Sequence, residues 1–351
     1  MKYLAFILLG LLILACENEP TSPLLLGPSE TGILVLNEGL FGQSNAGFTY
    51  YNISDQKVTE NPYFAANGVK LGDTGNDMEI LDGKIYACVS NSNKIEVISL
   101  PDYKSLGFVD LGENGSPREI VVIDSATAYV TSLYKNSVIK IDPASFTVKK
   151  EIPVGKYPEG LTYSNGKLFA ANSNFSDGNT ISIIDISIDE VIEEIKVGYN
   201  PRIMFTTPDN TVYAVCTGKY DATGRGGLYK INPESGIVID SLIIEQNPGE
   251  ATFNGNEYAY IVKNSGVVKV NLADLSIPVD SNPFIPAAEI NSSYGVIYSL
   301  YFEQNSKTLY AGNPNDFVQN GSILMFNTAG EKTGEFTCGL NPGTILYFEL
   351  Y

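Results

Sequence analysis

The 351-residue sequence contains no histidine and no tryptophan, only four cysteines, and only three arginines. The missing histidine excludes the most. It removes Ser-His-Asp and Cys-His catalysis, haem held by an imidazole, and histidine-based zinc sites. Carboxylate catalysis stays open. The missing tryptophan weighs against a sugar lectin, although 22 tyrosines offer other stacking rings. Positive charge is also scarce: 22 Lys and Arg stand against 40 Asp and Glu, a net charge of −18. Such a chain is a poor partner for nucleic acid, whose phosphates need Lys and Arg. What is abundant is Tyr, Gly, Asn, Val and Ile, a composition suited to many short strands and turns.

The N-terminus reads as an address. Met1 and Lys2 precede an apolar run from Tyr3 to Ala15, and Cys16 follows. One basic residue, about a dozen apolar ones and a small residue before the break describe a secretory signal. The run is too short for a membrane span. Leu12-Ile13-Leu14-Ala15-Cys16 resembles the lipobox of bacterial lipoproteins. That resemblance implies cleavage before Cys16, lipidation of Cys16 (palmitate among its acyl chains), and residues 1–15 as signal peptide. Losing Lys2 takes the net charge to −19. Residues 16–31, with Glu17 and Glu19 just behind the cysteine and Pro20, Pro23 and Pro28 beyond, read as a flexible tether. Acidic residues there resemble an export signal to the outer face of the outer membrane. The expected localisation is therefore lipid-anchored at the outer membrane and facing the exterior, with the periplasmic face as the alternative.

Short apolar and aromatic runs recur from residue 32 onward. They are Ile33–Leu36, Ile85–Cys88, Ala128–Thr131, Leu168–Ala171, Val212–Val215, Ala259–Val262 and Leu309–Gly312. Their spacing of about 45 residues is the period of a four-stranded propeller blade. The third unit shows the internal order: strand A over Glu119–Ile123, B over Thr127–Thr131, C over Ser137–Asp142 and D over Thr147–Ile152. The first unit has B, C and D but only tether where A should be, while Thr344–Leu350 is an A strand with nothing after it. Open terminal edges invite pairing. The sequence thus predicts an all-β fold, a seven-bladed propeller over residues 32–351 closed three-plus-one by the C-terminal strand. Cys88 and Cys216 then fall three blades apart, too far to bridge, and with Cys338 read as buried thiols.

Tyr129-Val130-Thr131-Ser132, Ile139–Asp142 and Ile152–Gly155 resemble the Tyr-Val-Thr-Asn propeller repeat. Phe169–Asn172, Ile181–Asp185 and Ile195–Gly198 repeat the pattern. The resemblance speaks for fold and little for function.

In such a ring the D-to-A and B-to-C connections share one face, where variable loops sit on rigid blades. Asp77, Arg118, Glu119, Glu159, Arg202 and Glu250 are expected in its D-to-A connections. Asn37, Phe41, Tyr134, Phe175, Tyr220, Arg225 and Phe317 are expected on or beside its B-to-C loops. All three arginines are in this set. A guanidinium offers a rigid fork for carboxylate or phosphate, and the aromatics add stacking area. The alternative is bracing, with Arg118 and Arg202 paired to Glu119 or Glu159 between blades. Asp177-Gly178-Asn179 has the look of a calcium turn but lacks the other ligands nearby. No cofactor or metal is expected.

The chain also resembles the lipidated seven-bladed propellers that capture cobalamin for an outer-membrane transporter. The likeness lies in the lipobox, the acidic leader, the length, the blade count and Leu36-Asn37-Glu38-Gly39. It implies a non-catalytic ligand-binding surface lipoprotein, with cobalamin and a transporter as partners. The alternative is an adhesion propeller for a protein or glycan.

Overall fold

The computed structural model describes residues 30–350, apart from 222, 245–247, 264–265, 280–282 and 291–295. The signal peptide, Cys16 and the tether lie outside the described residues. The chain forms seven sheets, each of four antiparallel strands, arranged as the blades of a propeller. In blade three the strands run Pro117–Asp124, Thr127–Ser132, Ser137–Asp142 and Thr147–Pro153, so the expected A strand begins two residues early.

The closure is as the sequence implied. Pro342–Leu350 pairs antiparallel with Glu30–Asn37, with Ile33 opposite Tyr347 and Val35 opposite Ile345. Blade one is therefore built from both ends of the described chain. Isolated four-stranded sheets have two open faces, and stacking them in a ring buries both.

Alternation along the second strands sets this packing, because successive side chains point to opposite faces. Leu34 and Leu36 enter the core between blades one and two, while Ile33 and Val35 enter the core between blades seven and one. Ala128 and Val130 face blade two, and Tyr129 faces blade four. Seven such inter-blade cores close the ring. Cys88, Cys216 and Cys338 are free and buried in this packing.

Two connections depart from simple turns. A short helix, Pro62–Asn67, joins blades one and two; the Asn61 side chain caps it, and it buries Pro62 and Tyr63. The long stretch 273–295 contains the outermost strand of blade six, Ile285–Pro286, so at least that part belongs to the blade. Near the axis the innermost strands converge tightly. A Cβ at Gly160 would lie 2.3 Å from the Arg202 carbonyl oxygen, and that close approach sets Arg202 beside blade four.

Candidate functional site

The innermost strand of most blades opens with a short motif, often led by proline. Pro117-Arg118-Glu119, Pro158-Glu159-Gly160 and Pro201-Arg202-Ile203 begin blades three, four and five. Pro342-Gly343-Thr344 and Gly75-Asn76-Asp77 begin the inner strands of blades one and two. These positions surround a cavity of about 560 Å³ at the axis. This corrects the expected placement. Asp77, Arg118, Glu119, Glu159 and Arg202 stand on the first residues of strands, and only Glu250 sits in a connection, just ahead of Ala251–Phe253. All six line the cavity, together with Glu38, Asn76, Tyr298 and Thr344, which the sequence reading did not select.

The polar groups divide into bracing and open sets. Asp77 accepts from the Ile120 amide at 3.0 Å, and Glu119 accepts from the Leu161 amide at 2.8 Å. Each carboxylate thus satisfies an amide of the next blade. Arg118 donates to Glu159 at 2.7 Å and to Asn76 Oδ1 at 2.8 Å, tying blades two, three and four together. The bracing reading holds for Arg118, with Glu159 as its partner. Thr344 Oγ1 reaches the Asn76 carbonyl at 3.1 Å and fastens the closing strand to blade two.

Arg202 is different. Its side chain makes no hydrogen bond or ion pair among the described residues, and the surface it keeps is cavity wall. Burial works against its charge, yet Glu159 and Glu250 more than offset this and hold the guanidinium above its ordinary value. Glu250 likewise accepts no side-chain hydrogen bond among the described residues. Burial pushes its carboxyl up, with Arg202 opposing. Glu38 is also raised by burial, although the Tyr298 hydroxyl donates to it. Glu119 stands well above the carboxylate range through burial and then Asp77, and Asp77 is itself raised by burial. Unpaired charges in a partly desolvated cavity are costly, so such groups mark places where a ligand can repay the cost.

The expected aromatics lie outside this wall. Phe41 and Tyr220 are 79% and 68% exposed, and Arg225 is exposed too. Tyr220 is still near enough to act on the Arg202 charge. Phe317 meets Tyr298 edge-on at 6.0 Å and so touches a cavity residue. Tyr134 and Phe175 flank Tyr157, with Tyr157 and Phe175 rings 3.9 Å apart and Tyr134 edge-on at 6.4 Å. Tyr157, Phe175 and Phe317 adopt positive φ of 47°, 51° and 66°, an unfavourable backbone for bulky side chains. Asn37 turns inward instead. It is 4% exposed and bonds to Thr49 Oγ1 at 3.0 Å and the Gly47 carbonyl, pinning the hairpin.

Asp177 pairs with Lys219 at 3.2 Å, and no group of three metal-ligating side chains occurs among the described residues.

Comparison with known proteins adds the following. A family model described as "Domain of unknown function (DUF5074)" matches residues 31–253. No curated protein matches the chain. Among solved structures, a quinonprotein alcohol dehydrogenase-like protein from Bacteroides thetaiotaomicron superposes with a TM-score of 0.68 at 16% identity, covering 90% of this chain and 78% of that one. A functionally unknown protein from Desulfotomaculum acetoxidans gives 0.67 at 15% identity, covering 92% and 100%. Virginiamycin B lyase from Staphylococcus aureus gives 0.58 at 14% identity, covering 75% and 83%. At these identities the likeness is one of fold.

Proposed function

We propose that this chain, which belongs to the DUF5074 family, is a non-catalytic ligand-capturing lipoprotein whose axial cavity seats a polar organic ligand. The observation that carries the reading is Arg202, a guanidinium that lines the cavity with no hydrogen bond or ion pair among the described residues. A cavity of about 560 Å³ lies in the range of small-molecule pockets. The rim aromatics add stacking area for a ligand larger than the cavity itself. Two wall carboxylates, Asp77 and Glu119, already serve the amides of neighbouring blades, which favours a rigid seat over a reacting centre.

The finer reading is capture of cobalamin or a similar large ligand, delivered to an outer-membrane transporter. Cobalamin carries peripheral amides and one phosphate. Its phosphate would meet Arg202, and its amide N–H groups would meet the open oxygens of Glu250 and Glu38. Capture at the cell exterior through a lipid on Cys16 completes the proposal. The exposed rings of Tyr134 and Phe175 favour a second reading, an adhesion surface for a protein or glycan.

The test is a calorimetric titration of the full chain in detergent with cyanocobalamin, using wild type and Arg202→Ala. Saturable binding that weakens at least about tenfold in the variant supports the reading, since loss of a charge-assisted contact costs about 1.5–3 kcal/mol. No heat from wild type removes the corrinoid.

A further inference from the structure

The cavity wall has far more acceptors than donors. Five carboxylates face it, Glu38, Asp77, Glu119, Glu159 and Glu250, against two guanidiniums. Arg118 is spent on Glu159 and Asn76. Asp77 and Glu119 each commit an oxygen to a neighbouring amide. What remains open is both oxygens of Glu250, one oxygen each of Glu38, Glu119 and Glu159, and the fork of Arg202. The complement of that arrangement is a group rich in N–H donors with one oxyanion nearby.

We infer that the cavity selects a ligand whose buried end is a protonated amine or guanidinium with an oxyanion a few bonds away. The cation lies against Glu250 and Glu38, and the oxyanion lies against Arg202. The inference rests on the reading of this cavity as the ligand's seat and names the charge that the seat demands.

Two arguments favour a cation over a neutral amide or a plain anion, and a third places the oxyanion. Five carboxylates outnumber two guanidiniums around the wall, and even with Glu119 held protonated by burial an anion alone would meet more acids than bases. Burial raises the carboxyls of Glu38 and Glu250, and neither has a cation within ion-pair distance among the described residues. A cation would supply that partner and favour their ionised form. Finally, Arg202 is flanked by Glu159 and Glu250 yet contacts neither within ion-pair distance, so its fork stays available to an oxyanion.

The experiment titrates the full chain in detergent near pH 7 with L-arginine, agmatine and succinate, and with cyanocobalamin in parallel. L-arginine carries two cationic groups and a carboxylate, agmatine the same two cationic groups without the carboxylate, and succinate only carboxylates. L-arginine is expected to saturate one site. Agmatine should bind at least about tenfold more weakly and succinate should give no heat, by the cost of one lost charge-assisted contact. Glu250→Gln, checked for an unchanged melting transition, should weaken L-arginine by about the same factor.

The inference is overturned if succinate binds as tightly as L-arginine, or if neither L-arginine nor agmatine binds the folded protein. If cyanocobalamin binds while L-arginine neither binds nor displaces it, the charge assignment fails and the corrinoid reading stands. If L-arginine binds and cyanocobalamin does not, the corrinoid falls and the charge assignment stands. If nothing binds, both fall.

Discussion

Removing Thr344–Tyr351 should abolish cooperative unfolding. The deletion strips the innermost strand of blade one from its neighbour, removing the pairing from Glu30 opposite Leu350 to Leu36 opposite Thr344. It also removes two buried side chains. Phe348, 5% exposed, packs with its ring 5.5 Å from Tyr50, and Ile345, 3% exposed, packs against blade seven. Truncating a buried Phe costs about 3–5 kcal/mol and a buried Ile about 2–5. Together these approach the whole stability of a typical domain, about 5–15 kcal/mol. Beyond that, Ile33 to Leu36 would lose the strand that covers their edge, and with it a ladder of backbone bonds. Phe348→Ala alone should lower the melting temperature by about 5–10 °C, at about 2 °C per kcal/mol for a large domain. The assay is circular dichroism and calorimetry of the full-length, point-mutant and truncated chains. A truncated chain that melts sharply at the original temperature would refute the closure.

Four further outcomes follow from the same geometry. Arg118→Ala should destabilise by about 2 kcal/mol, between the values for exposed and buried pairs, because Glu159 loses its partner. Arg202→Ala breaks no hydrogen bond among the described residues, so its melting temperature should stay within a few degrees of wild type. Burial holds Glu79 at about 7, above its ordinary 4.5, and it accepts from the Val122 amide. An acid raised in the folded state favours folding when protonated, so its contribution is full below about 4.5 and fades as pH rises through about 7. Glu79→Gln should flatten the stability profile across that window by at most about 3 kcal/mol, read from denaturant melts at pH 4.5 and 8. Cys16→Ser should lose palmitate labelling and membrane association; a variant that still sediments with membranes would remove the lipid anchor.

The period and the closure were legible because they rest on local features. Each second strand alternates faces, each turn has its Gly, Asn or Pro, and the unmatched strand at residues 342–350 has a unique place to go. The site was legible only in part. Arg118 and Arg202 were found through the rarity of arginine and Glu159 through its place after Pro158, but all three were assigned to loops because the proline looked like a boundary. In the structure the proline is already the first strand residue. Glu38 and Tyr298 were missed because neither follows a strand-opening proline. Tyr298 follows residues 291–295, which gave no strand signal, and Glu38 is brought to Tyr298 only by ring closure across 260 residues. Aligning the residue after each strand-opening proline would have gathered Arg118, Glu159, Arg202 and Gly343 into one ring before any coordinates. The burial of Asn37 had no such signal, since its partners Gly47 and Thr49 lie across a hairpin whose register had to form first.

The central claim is that the axial cavity around Arg202 holds a ligand. Native mass spectrometry of wild type and Arg202→Ala, each purified from the membranes of its own host, tests it most directly. A bound small organic molecule is expected on the wild type and is lost from the variant while the protein's charge-state envelope stays that of a folded chain. A ligand retained at equal occupancy by folded Arg202→Ala would contradict the account.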